Sequence, residues 1–110
     1  MNTLRDVIEK SFGVKTDLVE SIVTITTSPT LVLQNNPNRL SYIISVAGTN
    51  TAYFSGKSSV SSSGNGIPVG GGNSLAARWD VDFDIVGYDL YGAASTGSIS
   101  LYVREVIAVA

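Results

Sequence analysis

Leu18-Val19-Glu20-Ser21-Ile22-Val23-Thr24-Ile25-Thr26-Thr27 decides the class of this chain. Leu18, Glu20, Ile22, Thr24 and Thr26 alternate with Val19, Ser21, Val23, Ile25 and Thr27. A β-branched run of period two is a strand, because its side chains fit a pleated surface and stand alternately on its two faces. Ser28-Pro29 breaks it, and Leu31-Val32-Leu33-Gln34 predicts a second, shorter strand. Asn35-Asn36-Pro37-Asn38 has the chemistry of a turn. Leu40, Tyr42, Ile44 and Val46 then alternate with Ser41, Ile43 and Ser45, a third strand with one apolar face.

Downstream, Thr51-Ala52-Tyr53-Phe54-Ser55 predicts a strand, followed by a long loop from Ser55 to Ser74. Val60 and Ile67-Pro68-Val69 interrupt that loop as short strand pieces. Leu75, Ala77 and Trp79 alternate with Ala76 and Arg78. Phe83, Ile85 and Val86-Gly87-Tyr88-Asp89-Leu90-Tyr91 predict a strand pair or one bent strand, and Gly92-Ala93-Ala94-Ser95-Thr96-Gly97 a turn. Ile99, Leu101, Val103 and Val106-Ile107 close the chain in a strand. About seven or eight short strands at this spacing predict a mainly β, antiparallel β-sandwich.

Upstream, Leu4, Val7, Ile8 and Phe12 form one apolar stripe at helical period, with Thr3 as N-cap and Gly13 at the C-terminal end. The expected organisation is a short helix over 1–13 and a single β-sandwich domain over 14–110. A helix of about ten residues is marginal alone, so its stripe docks either on the domain's own sheet or on a neighbouring subunit.

The chain's 110 residues suit one domain. Seven basic against nine acidic groups leave a net charge of −2, which carries no nucleic-acid footprint. Hydrophobic residues reach 44% and charged ones only 15%, against about 25% charged in ordinary soluble domains. With no His and no Cys, Ser–His–Asp and Cys–His catalysis, disulfides and His/Cys zinc sites are excluded. No apolar run is long enough to span a bilayer as a helix, and Met1-Asn2-Thr3-Leu4-Arg5-Asp6 lacks the form of a signal peptide.

Gly56-Lys57-Ser58 lacks the upstream glycine and following helix of a phosphate loop. Asp80, Asp82 and Asp84 would share one side of an extended segment. They read either as a weak calcium site or as gatekeepers that keep an edge from pairing with strangers. Ile85 stands where an EF-hand needs glycine, and Tyr91 where it needs the bidentate Glu. Carboxylates for glycosidase chemistry could come from these, Asp89 and Glu105, but a chain this short has little room for a desolvating cleft. No enzyme is expected. Trp79 and the tyrosines Tyr42, Tyr53, Tyr88, Tyr91 and Tyr102 serve a core, a subunit contact or stacking on a glycan. Arg39, Arg78 and Arg104 pair with acids of the same chain or across a subunit boundary. The uncharged end Val106-Ile107-Ala108-Val109-Ala110 reads as a strand buried against self or a partner.

Asn36-Pro37-Asn38-Arg39 running into Leu40-Ser41-Tyr42-Ile43-Ile44-Ser45-Val46, then Tyr53-Phe54-Ser55-Gly56, Gly66-Ile67-Pro68-Val69 and Val86-Gly87-Tyr88-Asp89-Leu90-Tyr91-Gly92, form a further pattern. It resembles small accessory virion proteins of bacteriophages and of viruses of thermophilic microbes, over roughly Gln34 to Val106. The resemblance implies a jelly-roll sandwich without enzymatic activity, made in the host cytoplasm and attached to the virion as a capsid decoration, spike or turret component. It implies a homo-oligomer, such as a trimer or pentamer, bound to a capsid protein without a cofactor, nucleic acid or membrane. Leu4, Val7, Ile8, Phe12, Arg39, Val106 and Ile107 are the interface residues expected here, and a carbohydrate-binding module for host attachment is the alternative.

Overall fold

A computed structural model describes residues 15–78 and 82–109, without the side chains of Phe83 and Asp84. Among them are eight strands: β1 (Lys15–Ile25), β2 (Thr30–Leu33), β3 (Arg39–Val46), β4 (Ala52–Ser55), β5 (Ile67–Val69), β6 (Ser74–Arg78), β7 (Leu90–Ala94) and β8 (Ile99–Val109). They form two antiparallel four-stranded sheets, in the orders β1-β8-β3-β6 and β2-β7-β4-β5. The expected helix over 1–13, with Leu4, Val7, Ile8 and Phe12, lies outside the described residues, as do Trp79 and Asp80. Among the described residues no helix is long and apolar enough to cross a membrane.

The alternation read from the sequence is what builds the core. Tyr42, Ile44 and Val46 of β3 and Ile99, Leu101 and Val103 of β8 turn inward and are buried. Val32 and Leu33 of β2, Ala52 and Phe54 of β4, and Leu90 and Ala94 of β7 meet them from the other sheet. Phe54 is fully buried, and a side chain of that size stabilises the fold by about 1.5–3 kcal/mol. Val60 is buried at 1% exposure although it belongs to no strand, not the strand piece expected, and it pins the excursion between β4 and β5.

Two stretches differ from expectation. Phe83–Gly87 is a 3-10 helix, not a strand, and the following strand is Leu90–Ala94. The Phe83/Ile85 alternation is deceptive because Ile85 is exposed while Val86 and Gly87 are buried. Gly92, Ala93 and Ala94 belong to β7 rather than to a turn. Their smallness serves packing: a Cβ on Gly92 would stand 3.1 Å from Val32 and 3.2 Å from the Phe54 ring.

A bulge between Arg39 and Ser41 sets the end of β3. The extra residue re-aims the strand, and Arg39 turns inward with 4% of its surface exposed. Its Nε donates to Glu105 Oε1 at 2.7 Å. Nη1 donates to the carbonyls of Val86 (3.1 Å) and Tyr88 (3.4 Å), and Nη2 to that of Gln34 (2.7 Å). One guanidinium thus ties β3 and β8 to the chain leaving β2 and to the 3-10 segment. Arg39 was expected at a subunit interface. It is instead an internal tie, because a buried cation is tolerable only when its donors find acceptors.

Candidate interaction surface

From Asp17 to Ile22 every residue of β1 is exposed, and only Ile25 of its apolar residues is buried. Leu18 is 48% exposed and Ile22 72%. The reason is topological. Among the described residues, β1 is the outer strand of its sheet, hydrogen-bonded on one side only, to β8.

Register places the outward residues in rows across β1, β8 and β3. Leu18, Val106 and Ser41 make one row, Glu20, Arg104 and Ile43 the next, and Ile22, Tyr102 and Ser45 the third. The Arg104 Nε and Glu20 Oε1 lie 3.5 Å apart in an exposed ion pair. A hydrogen bond to Glu20 holds the Tyr102 phenol above its ordinary pKa of 10.0. The result is an apolar field of Leu18, Ile22, Ile43, Val106 and Tyr102 around one partnered charge pair. Exposed aliphatic residues gathered in this way form the kind of patch at which proteins meet partners or ligands.

The other three edges carry devices against pairing. Pro68 lies in β5 and removes a backbone donor. β2 is four residues long with a register irregularity between Leu31 and Leu33. At the end of β6, Asp82 Oδ2 accepts the Arg78 backbone N–H at 2.8 Å. Asp82 thereby occupies a backbone donor of an edge strand, the act of a gatekeeper. Asp82 precedes the 3-10 turn in a helical conformation, so the extended geometry that would align alternate carboxylates is not adopted there. Among the described residues no three acids gather as a metal site.

A recess of about 140 Å³ opens between β5 and β6, lined by Tyr42, Phe54, Ile67, Leu75, Ile85 and Tyr88 among others. Ile67, Ile85 and Tyr88 are exposed at its rim, while Asp89 spends its Oδ1 on the Asn35 backbone N–H at 2.5 Å. Burial first, then the charge of Asp82, raises the Tyr42 phenol above its usual pKa, against the lowering pull of Arg39. Val106 and Ile107 are half-buried in β8, on opposite faces of that strand. Of this field, the sequence pointed to Val106 as an interface residue and to Tyr102 as a core, contact or stacking residue, and did not single out Leu18, Ile22 or Ile43. The signal was present, since β1 carries apolar residues on both faces and one core covers only one.

No protein-family model matches the chain, and no curated protein matches it. Among solved structures, one described as Bacillus endospore appendages that form a novel family of disulfide-linked pili is similar in fold, with a TM-score of 0.46, 14% identity, and coverage of 88% of this chain and 89% of that one.

Proposed function

We propose that this chain is a non-enzymatic structural protein that works through protein–protein interfaces, as an oligomeric, capsid-associated decoration, spike or turret component of a virion. The strand orders β1-β8-β3-β6 and β2-β7-β4-β5 have the form of an eight-stranded jelly-roll sandwich. The observation that carries the reading is the exposed apolar field of Leu18, Ile22, Ile43 and Tyr102 on a sheet whose other face already holds the core. Apolar burial at about 25 cal/mol/Å² supplies the attraction for such a contact.

The test is assembly. Light scattering on a sizing column should give a defined oligomer, and the protein should co-purify with particles. A monomer at every concentration, absent from particles, would remove the reading. A second reading, a glycan-binding module for host attachment, is favoured by Tyr88, 55% exposed at the rim of the recess beside Asp89. Binding on a glycan array that is lost in Tyr88→Ala would support it over the first.

A further inference from the structure

We infer that the partner of β1 is β1 of a second copy, paired antiparallel about a two-fold axis at Ile22. This rests on the interface-building reading above and names its partner and register.

The outward groups of β1 can be counted from its neighbours. In β8, the Ser100 carbonyl accepts from Ala47 N at 3.2 Å and Ala108 N donates to the Asn38 carbonyl at 2.7 Å. Even-numbered residues of β8 therefore turn their backbone groups toward β3, and odd-numbered ones toward β1. The β1–β8 register runs unbroken from Lys15↔Val109 to Ile25↔Ile99, pairing odd with odd. Thr16, Leu18, Glu20, Ile22 and Thr24 then point N–H and C=O away from the sheet.

Among the described residues, two of the outward groups at or beside this edge are taken. Asp17 Oδ1 accepts the Leu18 N–H at 3.0 Å, and the Thr26 carbonyl accepts from Ala94 N at 2.7 Å. What remains between them is the block Glu20, Ile22 and Thr24, symmetric about Ile22. A strand edge is satisfied by another strand, and a two-fold between identical edges gives an antiparallel pair. Pairing along the full length would centre on Glu20 and set that carboxylate against its own copy. Centres at Val19 or Ser21 would call on the Leu18 N–H, and a centre at Val23 on the Thr26 carbonyl. At Ile22 the hydrogen-bonded pairs are Glu20 with Thr24, Ile22 with Ile22, and Thr24 with Glu20, all from free groups.

The side chains agree. On the outer face the pairing makes a continuous row of Tyr102, Ile22, the second Ile22 and the second Tyr102, covering the most exposed aliphatic residue of the strand. On the other face Val19, 37% exposed, comes to lie opposite Ile25. The contact is two-fold, so it yields a dimer, in contrast to the trimer or pentamer expected from the virion resemblance.

The chain has no cysteine, which makes the register directly readable. Single variants Ile22→Cys and Leu18→Cys are treated with a short bifunctional thiol reagent. Ile22→Cys should join into a covalent dimer, while Leu18→Cys, also open to the reagent, should not, its copies lying ~27 Å apart in this register. Thr24→Pro removes one outward donor and leaves the β8 ladder intact, so it should raise the dimer dissociation constant at least tenfold with an unchanged circular dichroism spectrum. If the native chain assembles but Ile22→Cys does not crosslink and Thr24→Pro assembles normally, the β1 pairing is wrong and the structural reading stands. If the native chain is a monomer even near ~1 mM, where only contacts weaker than about 4 kcal/mol would escape detection, both are wrong.

Discussion

Arg104 and Glu105 are neighbours in β8, and each makes an ion pair, yet the two pairs belong to different physical regimes. Glu105 faces inward to Arg39 at 2.7 Å, with the two side chains 13% and 3% exposed. Arg104 faces outward to Glu20 at 3.5 Å, with both side chains nearly half exposed. The pleat alone separates them, because adjacent residues of a strand stand on opposite faces. Inside, the charge is held by four acceptors and locks the two sheets together. Outside, water and salt already satisfy it, and the pair contributes little to folding.

The largest expected effect is on the inner pair. Arg39→Ala leaves Glu105 and three carbonyls without their donor, and should cost about 3–5 kcal/mol in denaturant unfolding. Replacing both partners together, Arg39→Met with Glu105→Leu, should recover much of that loss, because the penalty lies in the orphaned charge rather than in the missing attraction. A double variant as unstable as Arg39→Ala would show that the carbonyl contacts, not the ion pair, dominate.

Next in size is an alkaline effect from Tyr42, which packs near Arg39. Its folded pKa is raised by burial, so the neutral phenol is favoured in the fold. Stability from this group is complete below the unfolded value of about 10 and is lost as pH rises through the folded value. Tyr42→Phe should flatten the fall in melting temperature above pH about 10, and a parallel fall in both proteins would remove Tyr42 as its cause.

The outer pair should give the smallest changes. Arg104→Gln should alter the monomer's stability by at most about 1 kcal/mol, and 1 M salt should abolish even that difference. Glu20→Gln should move the Tyr102 phenol back toward its ordinary value, since Glu20 is the main cause of its rise. Ultraviolet titration of the phenolate reads this directly, and an unmoved Tyr102 would mean that the hydrogen bond does not form.

Part of this contrast is legible in the sequence. The period-two runs at Leu18–Thr27 and Leu40–Val46 locate strands, and the inward set Tyr42, Ile44 and Val46 follows from alternation. Arg39 was not legible. Its direction depends on a bulge, and a bulge is decided by how β3 meets β8, not by the residues around it. The 3-10 helix at Phe83–Gly87 was hidden for a similar reason, since five residues are too few for a period of three to stand out from a period of two. The small residues Gly92 to Ala94 read as a turn until Phe54 is seen lying against Gly92.

The sequence by itself determined the class of structure: β-branched alternation dictates strands, and missing His and Cys remove whole branches of chemistry. Only the tertiary structure decided which strands would be edges, and with that which apolar residues would stay wet. Local pattern records what a strand could bury. Whether it does depends on neighbours brought in from far along the chain, and among the described residues β1 has such a neighbour on one side only.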